Sequence, residues 1–247
     1  IVMALQKYSG LPKNMVVGMA GILDTSRFKY FLSQELKVPV NKIESLVLGG
    51  HGDTMVSMLN HTTVQGKPVL DLVKNGKLKK EVLDSIVVRT KNGGAEIVKL
   101  LEKGSAFYAP AASGVEMAES YLKNLKKQLP CAAYLDGQYG VKNLYAGVPV
   151  IIGDKGIEKV VEINLSGEEK ENFDHSINAV KELFNAQFFL SDHIDINSLD
   201  LDANFENIHE QIVQCIHEVN VIYYSTAMIF LMENELSGFL YLKQSHY

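Results

Sequence analysis

The sequence has no tryptophan, six prolines and only two cysteines in 247 residues. Cys131 and Cys215 are too few for a disulfide framework and stand in no CxxC pair, which argues against a small secreted scaffold and a zinc ribbon; a reducing cytoplasm is the expected setting. Long apolar runs are scarce as well. The uncharged stretch from Val219 to Met232 is about 14 residues, short of the roughly 20 that cross a bilayer as a helix, so no membrane span is expected. A basic stripe with interleaved aromatics is absent too. Lys77, Lys79 and Lys80, like Lys126 and Lys127, sit among acids on helical faces, so nucleic acid is not an expected partner. No internal repeat or low-complexity tract breaks the chain.

What remains, 47% hydrophobic and 21% charged residues, is the composition of a soluble globular protein. The net charge of −5 is uneven, because the acids concentrate beyond about residue 190, where Lys243 is the one basic residue. The chain opens at Ile1 on IVMALQKYSG, which reads as the end of an amphipathic helix with no signal-peptide character, so it is expected to start in mid-protein.

Periodicity then predicts a mixed α and β order. A turn and short apolar run over 11–20 lead to a helix through about Leu36, with Asp24-Thr25-Ser26 offering caps. IESLVLGG reads as a strand ending in the glycine-rich turn GGHGD, and TMVSMLNHTTV as a second extended stretch. A helical pair is predicted over 78–103, interrupted at Asn92-Gly93-Gly94, and one long helix over 105–128. From Cys131 the period changes to two: CAAYLDGQYG, NLYAGVPVIIG and EKVVEINL form an antiparallel meander, after which Ser166-Gly167-Glu168-Glu169 opens a helix to about Phe189. The class is α+β, without regular βαβ alternation.

Chemistry concentrates in Asp24-Thr25-Ser26-Arg27 and, 24 positions after the arginine, His51 in its glycine turn. Arg27 on a helix's first turn can grip a carboxylate with its planar fork, as a lysine cannot. His51 can exchange a proton with a hydroxyl near neutral pH, provided a partner such as Asp24 fixes its tautomer. Taken singly, each has a plainer use: Asp24 as a helix cap and His51 as a surface side chain. Asp53 is expected to hold the turn through nearby amides. His61 and His175 are expected to be ordinary polar-face residues, and His209 and His217 make no HExxH, so no metal is expected.

GMAGILDTSRF and LGGHGDTMV together resemble the two signature segments of the lactate and malate dehydrogenase superfamily. QKYSGLPKN, GKPVLDLV, KGSAFYAPAAS and GVKNLYAGVPVIIG follow in that family's order, and the likeness covers roughly residues 1–189. The resemblance implies the family's C-terminal domain, a mixed antiparallel sheet packed with long helices and no complete Rossmann domain. It further implies His51 as proton donor and acceptor, Asp24 as its orienting partner and Arg27 as the carboxylate clamp. Ala106 would lie near the substrate, with Met19 and Pro110 near the nicotinamide of NAD. Because GGHGD lacks the glutamate that lactate enzymes usually place before the histidine, and the helix start reads GSAFYAP, the substrate implied is malate or oxaloacetate. Lactate or another 2-hydroxy acid is the alternative. A homo-oligomer, dimer or tetramer, is expected from the family.

No GxGxxG turn with a following acid is found, so the NAD-binding half is expected to precede Ile1, and these 247 residues alone are expected to bind NAD poorly and turn over little. Two segments are thus expected: a substrate-binding and catalytic domain over 1–189, and an unrecognised extension over 190–247, acidic then apolar, best read as a helical addition or as sequence foreign to the enzyme. The reading from another class is a noncatalytic truncated piece that keeps only oligomer-forming surfaces.

Overall fold

The computed structural model describes residues 1–191 and Ile229–Leu231. Helix α1 (Val2–Ser9) ends on Gly10 in the left-handed region and leads to strand β1 (Val16–Gly18) and helix α2 (Gly21–Leu36). Five two-residue strands follow: β2 (Ile43–Glu44), β3 (Val47–Leu48), β4 (Val56–Ser57), β5 (Thr63–Val64) and β6 (Lys67–Pro68). Three helices come next, α3 (Val69–Lys74), α4 (Lys80–Leu101) and α5 (Tyr108–Leu122). The meander β7 (Lys127–Asp136), β8 (Lys142–Gly153) and β9 (Gly156–Val160) then feeds α6 (Gly167–Ser191). Strand β10 (Ile229–Leu231) closes the order.

The main sheet runs β10-β1-β7-β8-β9, antiparallel throughout, beside a three-stranded sheet β2-β5-β6 and the β3-β4 hairpin. The α+β class and mixed antiparallel architecture are as the sequence predicts. Period two is legible in β7, where Cys131, Ala133 and Leu135 are buried and alternate with half-buried Ala132 and Tyr134. It fails in β8, which is buried almost end to end because α1, α5, α6 and β3 all pack on it.

Helix α2 joins two cores. Ile22 and Leu23 belong to the sheet-side core with Cys131, Leu135, Val148, Ile152 and Phe173, whereas Phe28 and Leu32, one and two turns on, enter a second core with Ile43, Val47, Val69, Leu83 and Ile86. Each such buried side chain contributes roughly 1.5–3 kcal/mol, so the helix is held from both ends.

Four expectations change. The predicted strand IESLVLGG is divided between β2 and β3, which lie in different sheets. The extended stretch after the histidine turn is interrupted by a 3-10 turn at Leu59–His61. The long helix over 105–128 is shorter, as α5 stops at Leu122 and β7 begins at Lys127. Finally, α4 is one helix, not a pair broken at Asn92-Gly93-Gly94. A mid-helix glycine costs only about 1 kcal/mol, and burial of Leu83, Ile86 and Thr90 on the preceding turns offsets it. The tail readings fall outside the described residues except at β10, which is a strand.

Candidate active site

Helix α2 starts upstream of the residues expected to cap it, because Ala20 O accepts the amides of Leu23 and Asp24 at 3.0 and 3.3 Å. Asp24 therefore lies inside the first turn instead of capping it, and its carboxylate is free for other work. Arg27 follows three residues later on the same helix face. Thr25 and Ser26 are also not caps: Thr25 Oγ1 accepts the Val47 amide at 2.9 Å, tying α2 to β3, and Ser26 Oγ donates to Leu23 O at 2.6 Å.

His51 sits in the loop of the β3-β4 hairpin, and backbone contacts fix that loop from two sides. Gly49 and Gly147 of β8 exchange both amide hydrogen bonds at 2.8 and 2.9 Å. A Cβ on Gly147 would stand 2.4 Å from Gly49 O, so the close approach requires glycine there. On the other side, Ser176 of α6, fully buried, accepts the Gly50 amide at 2.7 Å and donates to Thr54 Oγ1 at 3.3 Å. Asp53 is exposed and, among the described residues, makes none of the expected hydrogen bonds to the turn; Ser176 does that work from another element. His61 Nε2 donates to Asn164 O at 2.7 Å, and His175 is exposed, both as ordinary polar residues.

The result brings His51, Asp24 and Arg27 together. His51 Nδ1 is 2.8 Å from Asp24 Oδ2, and Arg27 Nη1 is 3.6 Å from Asp24 Oδ1. Side-chain exposure is 25% for His51, 2% for Asp24 and 11% for Arg27. With Nδ1–H donated to the carboxylate, the imidazole's Nε2 is left for an outside partner. The guanidinium makes no hydrogen bond among the described residues, and its Nε is buried without a hydrogen-bond partner, as is Asp24 Oδ1, whose one neighbour of opposite charge is the guanidinium itself. Burial lowers the Arg27 pKa, with the Asp24 charge acting the other way; the group stays a cation. A desolvated fork with unspent donors beside an oriented imidazole is complementary to a small anion that carries an exchangeable proton.

Met19, Ala106 and Pro110 are all buried. Met19 lies two residues before α2 with its side chain in the sheet-side core, Ala106 two residues before α5, and Pro110 in the first turn of α5. Helix α5 packs on α2. Sequence reasoning missed Ser176, Gly147 and the second contact of Asp24, to Arg27. It also misread the adjacent glycines at 93 and 94, which were visible as a signal but taken for a helix break.

An oriented imidazole beside a buried guanidinium on this α+β frame is an arrangement chemically able to exchange a proton and to pair with a carboxylate. Residues 22–189 match the lactate/malate dehydrogenase, alpha/beta C-terminal domain family, and the chain belongs to that family. Among its relatives is a malate dehydrogenase of Pelagibacter ubique, 67% identical over 186 residues, which are 75% of this chain and 58% of that protein. Crystal structures of malate dehydrogenase from Cryptosporidium parvum (47% identity, TM-score 0.72, 74% of this chain and 58% of that one) and Salinibacter ruber (44%, 0.73, 78% and 61%) share the fold. So does Cryptosporidium parvum lactate dehydrogenase complexed with lactic acid and nicotinamide adenine dinucleotide (43%, 0.72, 73% and 57%). The chain thus spans about three-fifths of the length of these relatives.

Proposed function

We propose that this chain is the substrate-binding and catalytic part of an NAD-dependent malate dehydrogenase, interconverting malate and oxaloacetate. The observation that carries the reading is the meeting of His51, Asp24 and Arg27 around one carboxylate. In this reading Arg27 grips the substrate carboxylate through its unspent donors. His51 accepts the hydroxyl proton at Nε2 as the alcohol is oxidised and returns it in the reverse direction, while Asp24 holds Nδ1–H and stabilises the imidazolium. NAD, when bound, supplies the hydride chemistry.

The family resemblance is what assigns Met19 and Pro110 to the nicotinamide end of that cofactor and Ala106 to the substrate side; all three are buried, Met19 in the sheet-side core, and the sequence holds no GxGxxG turn for a pyrophosphate. Two clefts on the described surface, about 460 Å³ at Lys42, Glu44 and Gln65 and about 210 Å³ at Lys13, Tyr134 and Lys159, contain neither His51 nor Arg27. In the same reading, 1–189 is the catalytic domain and 190–247 an extension. A homo-oligomer is supported by exposed Leu100, Tyr108, Val115 and Leu122 on α4 and α5. A cytoplasmic setting is supported by the scarcity of cysteine, with only Cys131 and Cys215 in the sequence. No helix among the described residues is long and apolar enough to cross a membrane.

The test compares the 247-residue chain with the same chain joined behind the cofactor-binding half of the Pelagibacter relative, following NADH consumption with oxaloacetate or pyruvate. The joined protein is expected to reduce oxaloacetate faster than pyruvate, and the chain alone almost nothing. Faster pyruvate reduction would move the assignment to lactate. No turnover by the joined protein would leave the noncatalytic reading.

A further inference from the structure

Two adjacent glycines in the middle of a 22-residue helix weaken it by propensity, and nothing about α4 as a helix explains them. Their surroundings do. Gly93 is buried, and a Cβ there would stand 3.1 Å from Arg27 Cδ, 3.5 Å from Nε and 3.9 Å from Cζ. A Cβ on Gly94 would stand 3.7 Å from both terminal nitrogens of the same guanidinium. The Arg27 side chain therefore lies along the bare backbone of α4, its stem against Gly93 and its fork against Gly94. No hydrogen-bonding side chain holds the guanidinium among the described residues, so steric support from α4 and the Asp24 charge are what set its pose.

We infer that Gly93 is a positioning residue for substrate: its missing side chain forms the bed that seats Arg27 with its donors unspent, so that a substrate carboxylate receives them. The inference rests on the role given to Arg27 above. A methyl group at position 93 would make a contact tighter than nine in ten real Cβ contacts, so that Arg27 must give by a few tenths of an ångström, whereas at position 94 the distances are those of ordinary contact. The two glycines are thus equivalent in helix propensity and unequal in what they do to Arg27.

The experiment uses G93A and G94A in the joined protein, with oxaloacetate kinetics and thermal unfolding read for each. G93A is expected to raise KM for oxaloacetate by about tenfold or more while kcat falls less, the pattern of lost substrate binding. G94A is expected to change KM by less than about twofold, and neither substitution should lower Tm, because alanine favours the helix. In an R27M background, G93A should add nothing to the KM already lost. Equal KM effects from G93A and G94A, or a G93A effect that persists in R27M, would overturn the inference while the dehydrogenase reading stands. A wild-type protein without oxaloacetate turnover would remove both.

Discussion

Two buried carboxylates, Asp24 on α2 and Glu169 on α6, are treated in opposite ways by the fold. Glu169 closes a capping box three residues after its serine: Ser166 Oγ accepts its amide, and its own oxygens take the Ser166 amide and hydroxyl and the Asn60 amide, at 2.9–3.3 Å. Burial alone would raise the Glu169 pKa, but these donors outweigh it and leave the group below its ordinary value. Asp24 is buried at least as deeply, yet Oδ1 accepts no hydrogen bond and the cation beside it makes none. A satisfied carboxylate holds structure together, and an unsatisfied one marks where the fold keeps polar capacity for something else. Two of the three buried side-chain polar atoms without a partner among the described residues belong to the Asp24-Arg27 pair; Ser57 Oγ is the third.

Four substitutions break or sharpen that contrast. H51N in the joined protein should lower kcat by about 10³, within the range for a general acid-base group, with Tm nearly unchanged; a loss under tenfold would remove His51 from proton exchange. R27M should raise KM for oxaloacetate by about 10² and leave Tm close to wild type, since the guanidinium gives up no hydrogen bond. A large fall in Tm would instead place Arg27 with Glu169 as a structural group. E169Q should do the reverse, costing about 1–2 kcal/mol of stability in denaturant unfolding at neutral pH with kinetics intact. Because the folded-state pKa of Glu169 is lowered, its contribution is present above the ordinary glutamate range and lost as pH falls through the folded value, so wild type and E169Q should converge in acid. Smallest of all, D84N removes the exposed Lys80 partner and should leave Tm unchanged within error.

Most helices, the meander and the opening of α6 at Ser166 were legible because each depends on local periodicity or on residues three apart. The motif pair carrying Asp24, Arg27 and His51 was legible through its resemblance to a known family, and the structure brings the three together. Less visible was everything set by long-range packing. The start of α2 moved to Gly21 because Gly21 fits against Val47 O and Pro130, a contact 109 residues away in sequence for Pro130. The break expected at Gly93-Gly94 did not occur because burial of Leu83, Ile86 and Thr90 carries α4 through them, and the residue those glycines face, Arg27, lies 66 residues earlier. The anchoring of the histidine loop by Ser176 lies beyond any local signal, since that bond joins residues 126 apart.

The paired amides of Gly49 and Gly147 also act as a reporter. Each amide is bonded across from the histidine loop to β8, so both should exchange with solvent when the loop lifts off the sheet, without any opening of the β7-β8 hairpin. Their exchange rate therefore reads how often His51 loses its seat.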